Sequence, residues 1–396
     1  MIGIPQHILA QAIDWRRAFH ARPEIGLHEH DTAERVATLL ESFGLEVQRG
    51  IAKTGVVGTL RNGDGPSIGL RADMDALPIQ EKNTFDHQSA TANCMHACGH
   101  DGHMAILLAT ARYLSETRRF SGTVHFVFQP AEENAGGGQM MVEEGLFQRF
   151  PMQAIYALHN WPGLAAGNVT VNPGPMMASH DSFCITLTGK SCHAAMPDRG
   201  IDPIIAAAEL ILALQTITSR RISPQETAVV SVTQIHSGDA MNIIPDTALL
   251  SGTVRCLQAD TREKVLALFA DLVTTLPASF GVSGELHWQY GYPVTENHPE
   301  AALTLRDAAI AALGESRVNW GNPPSMAAED FSYMLQACPG AYFWLGADGV
   351  SPSASLHNAF YDFNDGIIAD GIRVWVSLVE RSLKTVHSLN TDCGSI

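Results

Sequence analysis

The segment Cys98-Gly-His100-Asp-Gly-His103 sets a thiol and two imidazoles close together in the chain. Further along come the paired carboxylates Glu132 and Glu133, then isolated histidines at His159 and His357. Thiolate, imidazole and carboxylate are the side chains that bind a transition metal. Adjacent residues leaving a strand point in different directions, so one glutamate can bind a metal while its neighbour faces the water to be activated. A ligand beside a general base is the equipment of a hydrolase.

Those residues need elements to hold them. Residues 6–20 and 30–43 read as helices, followed by extended segments at 55–60 and 67–72 with the turn Asn62-Gly-Asp-Gly-Pro66 between them. From about Asp101 the pattern is helical, with His100, Met104, Leu107, Ala111 and Leu114 on one stripe. Gly122–Phe128 reads as a β-branched strand ending at Pro130, and the short run Ala154–Leu158 as a strand that delivers His159 at its end. Alternating strands and helices predict an α/β core with its ligands at strand ends.

Residues 180–291 follow a different rhythm. Strands near 181–189, 227–235, 247–256 and 284–290 alternate with helices near 203–218 and 260–276, an order that predicts a ferredoxin-like α+β insert. The predicted organisation is therefore a mixed-sheet catalytic domain in two pieces, 1–179 and 292–396, with the insert between them.

Composition narrows the function. With 25 Lys and Arg against 41 Asp and Glu, the chain of 396 residues carries a formal charge of −16. That field disfavours nucleic acid and anionic membrane surfaces as partners. Apolar residues at 45% suit a packed globular protein, and no apolar run approaches the roughly 18 residues of a membrane helix. Seven cysteines without framework spacing, and an amino-terminal stretch that does not read as a secretory signal, predict a reduced, cytoplasmic setting.

Each candidate also has a plainer reading. Cys98 alone could be an inert buried thiol, although a helix start or a bound cation would favour its thiolate. The glutamate pair could be an acidic helix start, and His159 and His357 could be hydrogen-bonded core histidines. His103 is open between a group supporting the ligands and an exposed helix position. Asp73 and Asp75 alternate at a strand end and could buttress a ligand or form a turn before Pro78. In the insert, His193 and Asn242 could donate to a developing oxyanion, and Arg255 could fork onto a carboxylate or simply be solvated.

Taken together the chain resembles the zinc-peptidase-like metallo-amidohydrolases, the group of hippurate hydrolase, N-acyl-amino-acid amidohydrolases and indole-acetyl-amino-acid hydrolases. The likeness rests on Leu27-His-Glu-His30, Leu70-Arg-Ala-Asp-Met-Asp-Ala-Leu-Pro78, His96-Ala-Cys-Gly-His-Asp-Gly-His103 and Phe128-Gln-Pro-Ala-Glu-Glu133. It continues through Gly189-Lys-Ser-Cys-His-Ala194, Asn242-Ile-Ile-Pro245, Gly252-Thr-Val-Arg255 and Glu329-Asp-Phe-Ser332.

The resemblance implies two divalent metal ions per chain, manganese or zinc, with cobalt and nickel also open. Cys98 would bridge them, His100 and His159 would serve one, and Glu133 and His357 the other. Glu132 would be the general base and Asp75 the orienting carboxylate. The insert would be a lid that forms a homodimer or a higher oligomer, with His193 reaching the partner's site and Asn242 and Arg255 binding substrate. The implied reaction is hydrolysis of N-acyl amino acids. Small dipeptides or N-acetyl-diaminopimelate, a cysteine hydrolase built on Cys98, and a silent binding relative are the alternatives.

Overall fold

The computed structural model describes residues 2–349 and 354–384. Cys393, one of the seven cysteines, lies outside them; the six described cysteines are all unpaired. The chain forms two compact units. The first comprises the described residues up to Gly174, Glu296–Asn322 and those from Tyr333 onward; the second comprises Pro175–Thr295 and Pro323–Ser332.

An eight-stranded mixed sheet forms the first unit. Its strand order is Glu46–Ile51, Gly55–Asn62, Gly122–Gln129, Ser67–Asp73, Ala154–Ala165, Gly340–Asp348, Val169–Val171 and Val318–Trp320. The central strands Gly122–Gln129, Ser67–Asp73, Ala154–Ala165 and Gly340–Asp348 are mutually parallel, and the first two strands join antiparallel. Parallel strands are covered on both faces, which explains why Gly122–Gln129 reads as a continuous apolar run and is buried along nearly its whole length.

The helix that begins at His100 runs to Thr117 and departs from the expected single stripe. It is buried on almost every side, from His100 through Ala111 and again at Tyr113 and Leu114. It lies between the strand Ser67–Asp73 and the helices Gln6–His20 and Ile368–Ser382, so both of its faces are packed. Residues such as Leu107 and Ile106 are wholly buried, each contributing about 1.5–3 kcal/mol. The first turn of this helix is therefore held rigidly in the middle of the core.

Two local expectations need correction. The strand that carries His159 does not end there; it continues to Ala165 because Gly340–Asp348 pairs alongside it past Trp161. A further strand at Glu46–Ile51 escaped the sequence reading. It is an edge strand whose outward Glu46, Gln48 and Gly50 weaken the apolar signal.

The second unit is a four-stranded antiparallel sheet in the order Ala228–His236, Thr247–Cys256, Asp181–Thr188, Ser283–Tyr290. Helices Pro203–Thr216 and Ala259–Ala278 pack on one face, completing a β-α-β-β-α-β succession. The strand Thr247–Cys256 buries Ala248, Leu250, Gly252, Val254 and Cys256 against them and turns Arg255 to the other face. Among the described residues no helix is long and apolar enough to cross a membrane.

Candidate metal centre

Three local structures converge in the first unit. Gly99, at φ 94°, lets the chain swing from Cys98 into the helix beginning at His100. A Cβ there would overlap Asn160 and the Tyr361 hydroxyl. After the strand Gly122–Gln129, Pro130 and the left-handed Ala131 (φ 53°) turn the chain to present Glu132 and Glu133. His357 is itself left-handed (φ 62°), and its amide donates to the Ala97 carbonyl at 2.8 Å. Positive φ at a non-glycine residue is strained, and here it occurs at two of the points that aim side chains inward.

The predicted residues of this unit meet. Donor atoms of Cys98, Glu133 and His357 lie within 4.8 Å of one another, as do those of His100, Glu132 and Glu133. Cys98 Sγ is 3.4 Å from His159 Nε2. His100 Nδ1 donates to the Asp75 carbonyl (2.8 Å) and lies 3.3 Å from Asp75 Oδ1. That bond leaves His100 Nε2 facing Asp73 Oδ2 at 3.7 Å and Glu133 Oε1 at 3.9 Å. His159 Nδ1 likewise donates to the Asn160 carbonyl (2.7 Å), which turns its Nε2 toward Cys98. Asp75 Oδ2 accepts the Glu133 amide at 2.9 Å.

Several buried atoms here are left without hydrogen bonds. His100 Nε2 and Glu133 Oε1 have no hydrogen-bond partner, although His357 Nε2 lies 3.1 Å from that oxygen in ion-pair range. Orphaned buried polar atoms are rare, and these point at one another across a gap that a cation would fill. The mixture of sulfur, imidazole nitrogen and carboxylate oxygen suits a transition metal, whose ligand bonds of about 2.0–2.3 Å match donors this far apart. The residues fit divalent metal ions.

The electrostatics agree. Burial opposes charge on His100, but Asp73, Asp75 and Glu133 outweigh it and lift the pKa to about 10. A proton there does the work of a cation. Burial would also keep Asp73 neutral, yet His100, Arg71 and His103 hold it ionised, well below the ordinary carboxylate value. His159 is held neutral by burial and by His103, the form in which imidazole binds a metal. Cys98 corrects the expectation that its helix start alone would favour the thiolate. Burial and the carboxylates of Glu133 and Glu132 push its pKa well above the usual thiol value, so only an added positive charge ionises it.

Around these side chains is a layer that sequence reasoning saw only in part. His103 is buried, spanning Asp73 Oδ1 (2.6 Å) and Asn160 Oδ1 (2.6 Å), while Asn160 Nδ2 donates to the Tyr361 hydroxyl (2.6 Å). Arg71 donates to Asp73 (2.7 Å) and Gln129 (2.9 Å). Beyond the helix start, His20 sits wholly buried between Asp101 (2.8 Å) and Glu81 (3.1 Å), with Arg16 3.7 Å from Asp101. No local pattern marked His20, Asn160 or Tyr361; only their burial beside charge identifies them.

The remaining candidates belong to the second unit. His193 and the residue after Asn242 pair in a short ribbon, where Ala194 donates to the Asn242 carbonyl (2.9 Å). Both side chains are exposed. Arg255 is half-buried on the sheet and donates to the Met326 carbonyl (2.9 Å).

Comparison with known proteins agrees with this geometry. Residues 69–381 match the peptidase family M20/M25/M40. The chain is 39% identical to hippurate hydrolase of Campylobacter jejuni over 370 residues, 93% of this chain and 96% of the relative. It is 39% identical to N-acetyl-L-cysteine deacetylase of Bacillus subtilis, covering 86% of this chain and 81% of the relative. A crystal structure from Bacillus subtilis, described as a dinuclear metal-binding peptidase of the M20 family, superposes with a TM-score of 0.85 at 32% identity, over 96% of this chain and 99% of that one. On the extent of these matches and on its buried, cation-seeking cluster, the chain belongs to the peptidase family M20/M25/M40.

Proposed function

We propose that this protein is a metal-dependent amidohydrolase that cleaves N-acyl amino acids into a carboxylic acid and a free amino acid. The observation that carries the reading is the set of inward-facing donors, two of them orphaned, with Glu132 among them. The names of its relatives, which act on hippurate and N-acetyl-cysteine, support the substrate class.

Cys98, His100, His159, Glu133 and His357 would hold two divalent ions. Manganese or zinc fits this donor set, as do cobalt and nickel. When bound, the ions polarise the acyl carbonyl and make water acidic enough to attack near neutral pH. Glu132 takes the proton from the attacking water and returns it to the leaving amine. Asp75 fixes the ring of His100 and the amide of Glu133. We assign Arg255 and Asn242 to the substrate carboxylate, and His193 to the oxyanion in a second copy of the chain within a homodimer. Among the described residues the six cysteines are unpaired, which suits a cytoplasmic setting.

A cysteine nucleophile fits less well. Cys98 does face His159 at 3.4 Å, but burial and two carboxylates keep its thiol protonated.

Elemental analysis, paired with hydrolysis of hippurate and N-acetylcysteine before and after chelation, tests the reading. Two ions per chain, with activity lost on chelation and regained on metal return, are expected. Metal-free protein that remains active would overturn it.

A further inference from the structure

We infer that Glu29 is a positioning residue for the general base: its buried carboxylate clamps the strained turn that presents Glu132. The inference rests on the proposed function for Glu132 but on separate residues for its geometry.

Glu29 lies in Leu27-His-Glu-His30, a motif to which the reaction assigns no role. It immediately precedes the helix His30–Ser42 and is 0% exposed. Its Oε1 accepts the Ala131 amide at 2.9 Å, and its Oε2 accepts the Thr54 hydroxyl at 2.7 Å. A carboxylate presents two acceptor oxygens to the two converging donors; a glutamine could keep the Ala131 amide on its oxygen only by having the Thr54 hydroxyl rotate to accept, whereas an apolar side chain leaves the Ala131 amide without its acceptor.

What Glu29 holds is unusual backbone. Ala131, at φ 53°, adopts a conformation that residues with a Cβ rarely take. The two glutamates that follow bring carboxylate oxygens within 4.8 Å of each other and of His100. Two residues on, Asp75 accepts the Glu133 amide at 2.9 Å. Glu132 thus sits between two backbone amides, each gripped by a different buried carboxylate. Asp75 also touches His100, so its grip belongs to the metal ligands. Glu29 contacts none of the proposed ligands among its hydrogen bonds, so its grip bears on the residue before the base.

This division of labour separates Glu29 from a residue that serves the metals. Loss of the clamp should let Glu132 drift while Glu133 stays in place, and a displacement near 1 Å can cost about a hundredfold in rate. Ala131→Gly should lessen the need for a clamp, because glycine takes positive φ without a Cβ penalty.

The test uses the full chain loaded with manganese(II), as Glu29→Ala, Glu29→Met, Ala131→Gly and the Glu29→Ala/Ala131→Gly double variant. Hydrogen exchange at the Ala131 amide should quicken at least about tenfold in Glu29→Ala, a readout independent of catalysis. Manganese content and affinity should stay within about twofold of wild type. Turnover of hippurate should fall about 10–100-fold with KM little changed, and the double variant should recover part of it. Should Glu29→Ala fail to fold, Glu29→Met, which fills similar space without an acceptor, is judged by the same exchange and turnover criteria. Unchanged turnover in folded Glu29→Ala or Glu29→Met, turnover lost in step with manganese, or no recovery in the double variant overturns the inference. If the wild-type chain hydrolyses no N-acyl amino acid while exchange still quickens, the proposed function fails and the clamp on Ala131 stands.

Discussion

Replacing Asp75 with alanine should weaken metal binding roughly 10–150-fold without unfolding the protein. Asp75 is 1% exposed, and its carboxylate does two things. Oδ2 accepts the Glu133 amide at 2.9 Å, and Oδ1 stands 3.3 Å from His100 Nδ1. The backbone carbonyl of the same residue, 2.8 Å from that nitrogen, survives the substitution. His100 therefore keeps its tautomer, with Nε2 free for a metal. The loss reduces to one charge-assisted hydrogen bond, worth about 1.5–3 kcal/mol. At about 1.4 kcal/mol per tenfold, that gives the range stated, in line with the roughly 10–100-fold typical of groups that support metal ligands. Competition titration of manganese against a chelator of known affinity, with circular dichroism as a check on folding, measures it. Asp75→Asn keeps an oxygen for the Glu133 amide and should lose less than alanine. Affinity within about threefold of wild type in a folded Asp75→Ala protein would refute the reasoning, because the bond to Glu133 would then contribute too little to matter.

Other substitutions probe different parts of the molecule. Glu132→Ala should retain its metal and lose about 10²–10⁴ in kcat; near-normal turnover in metal-loaded protein would remove Glu132 as the base. His20→Ala, which leaves Asp101 and Glu81 buried without their partner, should destabilise the fold by about 3–5 kcal/mol in denaturant unfolding. Burial opposes the charge on His20, but bonds to Asp101 and Glu81 raise its pKa from 6.5 to about 9. Because the folded value is the higher one, that stabilisation is complete below about pH 6.5 and is lost as pH rises through 9. The wild-type Tm should therefore decline more across that window than the Tm of His20→Gln; parallel declines would show that His20 is not charged in the fold. Gly99→Ala must accommodate a Cβ at φ 94° against Asn160 and Tyr361, so a cost on the order of 1–3 kcal/mol is expected from chemical denaturation, together with weaker metal binding.

The cluster was legible where local geometry suffices. A thiol and an imidazole two residues apart at a helix start, and two carboxylates after a strand and a proline, converge because the chain itself turns there. The β-α-β-β-α-β order of the second unit was legible for a similar reason, since period-two and helical patterns alternate without interruption. His103 was not, because a helix buried on all sides shows no polar face against which to judge it. The strand through His159 also outran its signal: the apolar run ends at Leu158, but pairing with a parallel neighbour carries the strand on to Ala165.

Sequence alone thus determined the donor types, their local spacing and the reaction class to which such donors belong. Tertiary structure decided which carboxylates support them. Glu29 and His20 carry no local mark, and the alternation that marked Asp73 did not show what it supports, because a buried charge is recognised only by the partner that balances it. Those partners, Ala131, His103 and Asp101, lie far along the chain and arrive only when the core closes around the helix that begins at His100.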